Sequence, residues 1–272
     1  MLQVFSKSLA IIVLSLLLFV MLGGISQNKR WEIATIDILG TQAVDKNELA
    51  LFTREKLQGN YFFVYARDNS VIFPRREIEA GLLEQFPRLK NVSIRRLNFS
   101  HIVLEVTERK PYMLWCGEEI ERESQTQTGC WFVDDTGFVF GRAPIFSEGV
   151  YREIYSALLR VHEEVPFRAM IPTDRFLLIR EFNERIEREL GDTSRMFIKP
   201  EGEYGIIVRE SALYPVLADT EVRFKDGQSA EHLTKNLLAA IPVQFPADSI
   251  SQKNLLYIDL RFGNKVFFGF EN

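Results

Sequence analysis

One apolar run near the start constrains this chain more than any other feature. Within Leu9–Leu22 only Ser15 interrupts the apolar residues, and residues 23–25 extend the run. A helix needs roughly 20 apolar residues to cross a bilayer, with about 17 as the lower limit. The sequence therefore predicts a transmembrane helix over residues 9–25, preceded by a short cytoplasmic tail of residues 1–8.

Two other interpretations of this run stay open. A cleaved signal peptide has an apolar core of about 7–15 residues, and Gly24 and Ser26 supply small residues at a plausible cleavage spacing. A buried core helix is the third possibility. Lys7 before the run and Lys29-Arg30 after it do not determine orientation. Both the anchor and the signal place the rest of the chain outside the cytoplasm.

Charge and length limit the function classes. The 272 residues carry a net charge of −4, and no basic run stands out. A nucleic-acid binder usually shows a clustered Lys/Arg face, so this composition argues against that class. The length allows two domains, since domains usually run about 100–200 residues.

Residues 31–110 have the pattern of a small domain ordered strand, helix, helix, strand, strand. Ile36 and Ile38 alternate with polar residues, as in a half-buried strand. Asp45 begins a capping-box-like helix start, and Pro74 suits the first turn of a second helix. These signals predict one compact sheet packed against two helices.

The apolar connector Asn60–Tyr65 is expected to pack between those two helices. Two strands then end the domain. Val92 and Ile94 share one face of the first strand, and Ile102 and Leu104 share one face of the second.

Three segments of this domain resemble the FtsQ/DivIB family of bacterial cell-division proteins. They are FFVY (62–65), LLEQFPRLKNVSIRR (82–96) and LEVTERKPYMLW (104–115). In that family a POTRA domain directly follows a single transmembrane helix, so the resemblance implies a POTRA domain at residues 31–110. The connector at residues 66–73 is longer than the family pattern. By analogy with that family, an edge strand of the small sheet, within residues 33–39 or 92–97, is a candidate second contact surface.

Residues 111–272 predict a mixed β-rich domain with helices, which makes the whole chain α+β. Apolar stripes predict helices within residues 151–161 and 182–190, and Ser229 can cap another helix. The chain ends with strand-like runs at Leu255–Phe262 and Lys265–Phe270. The string IDLRFGN (258–264) resembles the β domain of the FtsQ/DivIB family most specifically.

Cys116 and Cys130 form a possible disulfide, since paired cysteines suit an oxidising compartment. Two unpaired thiols are the alternative. A zinc site is not expected, because no further Cys or His lies nearby in the sequence to complete four ligands.

Recognisable catalytic chemistry is missing from the sequence. His101, His162 and His232 are far apart, and no metal, nucleotide or hydrolase motif is present. Asp134 and Asp135 are interpreted as turn residues with solvated side chains. We therefore expect no catalytic residue, no cofactor, no metal, no nucleic acid and no small-molecule substrate.

The resemblance implies a non-enzymatic divisome scaffold, single-pass in the plasma (inner) membrane and located at the division site. It implies FtsB/DivIC-like and FtsL-like bitopic division proteins and septal wall synthesis proteins as partners. The expected mechanism is β-strand addition at a terminal sheet edge. The predicted partner-binding residues are Tyr257, Ile258, Arg261, Phe262, Phe267, Phe268 and Phe270, with Arg261 pairing a partner carboxylate.

Two alternative functions stay open. A POTRA-bearing export or assembly factor usually carries several modules or a barrel, and the sequence has no series of alternating barrel segments. A signal-cleaved secreted enzyme or binding protein would lack the residues up to Ser26 in its mature form.

Overall fold

The computed structural model describes residues 2–118, 129–147, 149–159, 169–246 and 254–271. The chain divides into two compact parts, Met1–Arg109 and Lys110–Asn272, called unit 1 and unit 2 below. Helices and sheets occur in both, so the α+β class that the sequence predicts is confirmed.

Unit 1 begins with a long apolar helix and continues as a small α+β fold. Its helices are α1 (Leu2–Ser26), α2 (Lys46–Leu57) and α3 (Arg75–Gln85). Its strands are β1 (Thr35–Leu39), β2 (Asn60–Tyr61), β3 (Tyr65–Ala66), β4 (Leu89–Asn98) and β5 (His101–Glu108). The predicted order of strand, helix, helix, strand, strand is observed, with the short hairpin β2–β3 inserted between α2 and α3.

Helix α1 contains the predicted spanning segment. Its residues Ser8–Ser26 form a 19-residue stretch that is long and apolar enough to cross a membrane, and 6% of the stretch is buried within the protein. The core helix of a soluble protein is mostly buried, so this exposure is compatible with single-pass anchoring.

The three-stranded sheet of unit 1 has the order β1-β5-β4. β1 runs parallel to β5, and β4 runs antiparallel to it. Alternate strand residues and one stripe of each of α2 and α3 form the core, which includes Leu49, Leu57, Ile78, Leu82, Ile94, Ile102 and Leu104. The apolar alternation noted in the sequence therefore faces the two helices.

Glu108, which lies in the segment LEVTERKPYMLW (104–115), holds the loop before α2. Its carboxylate accepts hydrogen bonds from the backbone N–H groups of Gln42, Ala43 and Val44, at 2.6–3.1 Å, and from Arg88. Burial alone would raise the pKa of Glu108, but these donors together hold it below its usual value. Glu108 therefore stabilises the loop before α2.

The connector between α2 and α3 does not pack between them, so that prediction is wrong. Its two phenylalanines occupy the tip of the hairpin β2–β3, where the exposed fractions of Phe62 and Phe63 are 78% and 96%. The hairpin turns outward, and its strand β3 lies beside α1. The core between α2 and α3 is closed instead by Phe52 and Phe86, whose rings meet edge to face at 6.1 Å.

Unit 2 is built on one large sheet. Its helices are α4 (Thr173–Glu189) and α5 (Ala230–Gln244). Its strands are β6 (Met113–Trp115), β7 (Trp131–Val133), β8 (Val139–Arg142), β9 (Glu153–Ser156), β10 (Thr193–Ile198), β11 (Glu203–Val208), β12 (Glu221–Lys225), β13 (Leu255–Phe262) and β14 (Lys265–Phe270). The strand order is β14-β13-β12-β11-β10-β9-β6-β7-β8.

Both helices of unit 2 pack on the same face of this sheet. The fully buried residues of that face include Ile154, Met196, Ile206, Val222, Ile258 and Leu260, and they meet Phe176, Phe182, Leu233 and Leu237 from the helices. Ser229 caps α5 as predicted, because its hydroxyl accepts the N–H of His232 at 3.2 Å.

The helix predicted within residues 151–161 is wrong. Glu153–Ser156 is the strand β9, which pairs in parallel with β10 on one side and β6 on the other. Ile154 and Ser156 are buried while Tyr155 faces the opposite side, so burial follows a period of two. Val161 lies outside the described residues. The predicted stripe at residues 182–190 does belong to a helix, the C-terminal half of α4 and its cap.

Asp134 is buried rather than solvated, which corrects the sequence interpretation. Its carboxylate accepts the N–H groups of Thr136 at 2.8 Å and Phe138 at 3.1 Å, and the Thr136 hydroxyl at 2.6 Å. It therefore stabilises the β7–β8 turn. Asp135 is exposed, in agreement with the prediction.

Candidate functional site

The predicted partner-binding residues lie on the last two strands, at one edge of the large sheet. β13 pairs with β12 on one side and with β14 on the other. Within the described part of the chain, no strand pairs with the outer side of β14. The hairpin β13–β14 therefore ends the sheet with an open edge.

Backbone alternation identifies which groups of β14 face outward. The N–H of Glu271 bonds to the carbonyl of Asn254 at 3.0 Å, so position 271 faces β13. Backbone groups of successive strand residues point to alternate sides. Gly269 and Phe267 therefore also face β13, whereas the N–H and C=O groups of Val266, Phe268 and Phe270 face the open edge.

Ile258 does not belong to a partner surface, which corrects the sequence prediction. Its side chain is fully buried in the core of unit 2, and in register it lies between Val222 and Phe268. Val222 and Phe268 both pack on the helix side of the sheet, and Ile258 between them packs against the helices as well. Ile258 thus holds the hairpin to the sheet.

Phe268 and Phe270 are half-buried at the rim of this core. Both rings contact Phe245, at the end of α5, with centroid distances of 5.6 and 6.3 Å. Both residues belong to β14, so a strand added to its open edge would lie beside them.

The other face of the hairpin is not covered by a helix in the described part of unit 2. Phe262 and Phe267 are exposed there at 57% and 48%, and their rings meet at 5.2 Å. The ring of Tyr257 lies against Gly269, where an added Cβ would come within 2.3 Å of it. The guanidinium of Arg223 lies 4.1 Å from the Tyr257 centroid. We call this surface, formed by Arg223, Tyr257, Arg261, Phe262, Phe267 and Gly269, the open face.

Arg261 is held by carboxylates of its own chain, and its pairing with a partner carboxylate stays a prediction. Its Nε and Nη2 donate to Asp259 at 2.9 and 2.6 Å, and its Nη1 donates to Glu203 at 2.8 Å. Hydrogen bonding to Asp259 raises the pKa of Arg261. Burial alone would raise the pKa of Asp259, but the donors of Arg261 hold it below its usual value. This network stiffens the open face and ties β13 to β11.

Sequence reasoning missed Arg223 and Gly269 as parts of this surface, and Glu203 as the residue that binds Arg261. Their positions depend on the register between β11, β12, β13 and β14, which joins residues far apart in the chain. The alternation of Tyr257, Asp259 and Arg261 was the one local signal.

Cys116 and Cys130 form a disulfide, with an Sγ–Sγ distance of 2.08 Å. The bridge connects β6 to the residue before β7, next to a small cluster of Leu114, Phe132 and Phe140. It lies at the end of the sheet away from β14 and so supports the fold rather than the candidate edge.

Metal ligands are not grouped in the described part of the chain. No three His, Cys, Asp or Glu side chains there could hold an ion together. His162 lies outside the described residues.

The small sheet of unit 1 has two edges of its own, β1 and β4. They overlap the segments 33–39 and 92–97 that the resemblance suggests for a second contact. Ala34 and Thr35 donate to the carbonyl of Ser100, the residue before β5, so these two bonds lie on the β5 side of β1.

Comparisons with known proteins give no family for this chain. No protein-family model matches it, and no curated protein matches it at a significant level.

Proposed function

We propose that this protein is a non-enzymatic, membrane-anchored scaffold that binds an extended segment of another protein by strand addition at β14. Following the resemblance of its sequence to the FtsQ/DivIB family, we place it among bacterial division proteins, with FtsB/DivIC-like and FtsL-like proteins and septal wall synthesis proteins as partners. It would act at the division site from the outer side of the plasma membrane.

The observation that carries this proposal is the open edge of β14. The outward N–H and C=O groups of Val266, Phe268 and Phe270 can form the ladder bonds of one more strand. Such an edge is a risk for aggregation unless it is covered or used. Strand addition covers it and gives the edge a function.

The open face supplies specificity beside the backbone. Phe262, Phe267 and Tyr257 form an aromatic group next to Arg223, and aromatic residues with Arg are the commonest anchors of protein interfaces. A partner strand that pairs with β14 places every second side chain on this same face.

Contacts of the C-terminal end of α1 support a retained anchor over a cleaved signal. The carbonyl of Ser26 accepts a hydrogen bond from the buried side chain of Asn69 at 2.8 Å. The Ser26 hydroxyl accepts the N–H of Ala66 at 3.1 Å. Cleavage after Ser26 would remove the helix that these contacts hold. The intact mass of the mature chain distinguishes the two forms.

Hydrogen exchange read amide by amide tests the strand addition. Adding the FtsB-like protein of the same organism to the full chain in nanodiscs should slow exchange at Val266, Phe268 and Phe270. The amides of Phe267 and Gly269, which already face β13, should not change. Equal slowing along the whole strand would indicate general burial, and no slowing at the three outward amides would refute strand addition.

A matched pair of variants tests the open face. Phe267→Glu puts a charge among the exposed rings and should reduce capture of the FtsB-like protein by at least about tenfold. Leu213→Glu, at another exposed apolar residue of unit 2, is the control and should bind normally. Unchanged capture by Phe267→Glu would remove the open face from the interface.

A further inference from the structure

The hairpin β2–β3 carries the most exposed aromatic residues among the side chains that the structure describes in unit 1. Phe62 and Phe63 form its tip, and 78% and 96% of their side chains are exposed. Exposed large apolar residues on a protein surface mark contacts with proteins or membranes when they cluster. We therefore expect this pair to contact another protein or a membrane.

The backbone of the tip is unfavourable for phenylalanine. The N–H of Val64 bonds to the carbonyl of Tyr61 at 3.1 Å, and the two residues between them have positive φ angles of 46° and 68°. Turns of this kind favour Asn-Gly, and a bulky residue with positive φ is strained. Strain of this kind concentrates at functional sites, so the two rings indicate a function other than closing the turn.

Contacts with α1 fix the position of the tip. The Tyr65 hydroxyl donates to the carbonyl of Phe19 at 3.1 Å. The ring of Phe19 lies 5.0 Å from that of Tyr65 and 6.4 Å from that of Phe62. Gly23 allows the hairpin to approach, because a Cβ at this position would come within 2.8 Å of the Val64 side chain.

These contacts lie well inside the apolar part of α1. At about 1.5 Å per residue, Phe19 is roughly 10 Å from the end of the helix at Ser26. The 19 residues of Ser8–Ser26 are about 28 Å long, close to the roughly 30 Å of a hydrocarbon core, so the whole stretch is needed to cross it. Raising the helix until the hairpin cleared the bilayer would draw the charged Lys7 into the core.

The base of the hairpin is polar, unlike its tip. The guanidinium of Arg67 lies 5.0 Å from the ring of Tyr61 and pairs with Glu77 at 2.7 Å. Trp31, five residues after the end of α1, meets Phe99 edge to face at 4.6 Å. Tyr and Trp are enriched where a membrane meets water. The aromatic tip, followed by Tyr and Trp near the charged groups, has the polarity gradient of a membrane interface.

We propose that Phe62 and Phe63 insert among the lipid acyl chains of the leaflet next to unit 1. The hairpin, together with α1, then forms a two-point attachment that holds unit 1 close to the bilayer. This inference rests on the retained anchor of the proposed function.

Nitroxide accessibility in the full chain tests the proposal. Single labels at Phe63→Cys, Val13→Cys in α1 and Leu51→Cys on α2 are compared in nanodiscs without reductant, so that the disulfide does not react. Oxygen concentrates in lipid, whereas a soluble nickel complex stays in water. The ratio of oxygen to nickel accessibility at position 63 should exceed that at position 51 severalfold and approach that at position 13.

The two proposals fail in different ways. A lipid signal at position 13 with a water signal at position 63 would overturn the hairpin insertion alone. Water signals at both would overturn the anchor and the insertion together. A lipid signal at both supports the insertion.

A matched pair of glycine substitutions tests whether contact with α1 sets the depth of the hairpin in the membrane. Gly23→Val forces Val64 away and should shift the label at position 63 towards water. Gly24→Val is the control, because a Cβ there has no described atom within 4 Å. Equal accessibility ratios in the two variants would show that α1 does not set the depth of the hairpin.

Discussion

The hairpin β2–β3 of unit 1 and the hairpin β13–β14 of unit 2 are both rich in aromatic residues, but different elements support them. β2 and β3 have two residues each, and within the described residues they pair with no strand other than each other. β13 and β14 have eight and six residues, and β13 is also paired with β12. The short hairpin therefore depends on α1, and the long one depends on the sheet and its core.

This difference decides which aromatic side chains remain exposed. In the long hairpin, residues alternate between the core and the open face, so Phe268 is half-buried and Phe267 is exposed. In the short hairpin the rings lie at the turn, where no core is available. Each hairpin also uses one glycine for a close approach, Gly269 beneath Tyr257 and Gly23 beside Val64.

The largest effect is expected from the core side of the long hairpin. Ile258→Ala should lower the free energy of unfolding by about 2–5 kcal/mol, because it leaves a cavity in a closed core. Phe267→Ala, on the open face, should cost less than about 1 kcal/mol. Denaturant unfolding of the full chain in nanodiscs, with Trp31→Phe in every variant so that Trp115 and Trp131 report on unit 2, measures both. Equal losses of unfolding free energy in the two variants would contradict the assignment of Ile258 to the core and Phe267 to the open face.

The next effect concerns the charge network of the open face. Arg261→Met removes the donors of a nearly buried carboxylate and should destabilise unit 2 by roughly 2–3 kcal/mol. Because the pKa of Asp259 is lowered in the folded protein, its contribution is complete above its unfolded pKa of about 3.9 and is lost as the pH falls through the folded value.

Unfolding measured between neutral pH and about pH 3 checks this sign. Asp259→Asn should lose stability at neutral pH and show a weaker acid dependence than the parent protein. An unchanged acid dependence would mean that Asp259 does not contribute in this way.

A smaller effect is expected in the short hairpin, because it depends on one helix. Gly23→Val should favour local opening of residues 59–66 by about 1–2 kcal/mol, without unfolding the core of unit 1. Limited chymotrypsin digestion in nanodiscs should then cleave near Phe62 and Phe63 roughly ten times faster. Gly24→Val should digest at the parent rate. Equal digestion of all three proteins would show that the hairpin is stable without α1.

The smallest effect is expected at the corresponding glycine of the long hairpin. Gly269→Ala displaces the Tyr257 ring from the open face but should change stability by no more than about 1 kcal/mol. Capture of the FtsB-like protein should weaken a few fold. Gly141→Ala, on the edge strand β8 where an added Cβ meets open space, is the control. Normal capture by Gly269→Ala would separate Tyr257 from the interface.

The parts of the fold that the sequence predicted well have strong local signals. The apolar run at Leu9–Leu22 lies within α1, and the runs Leu255–Phe262 and Lys265–Phe270 coincide with β13 and β14. Ser229 caps α5 because capping depends on neighbouring residues alone. In each case the energy that selects the structure comes from contacts within a few residues or from composition.

The wrong sequence predictions concern residues whose structure depends on contacts with residues far away in the chain. The segment around Ile154 has a pattern compatible with a helix, but its pairing with β6 and β10 makes it a strand. The sequence pattern does not distinguish Ile258 from Arg261 as partner-binding residues. In the structure Ile258 is buried in the core, and Arg261 donates to Glu203, 58 residues away.

By itself the sequence determined the apolar helix, the α+β class, the strands of the terminal hairpin and the absence of recognisable catalytic motifs. Hydrophobic periodicity and turn residues carry those features locally. Only the tertiary structure decided which side of β14 is open, which aromatic rings are exposed and that Phe62 and Tyr65 lie beside α1. Burial and edge position depend on which elements meet across the chain, and no local pattern encodes that pairing.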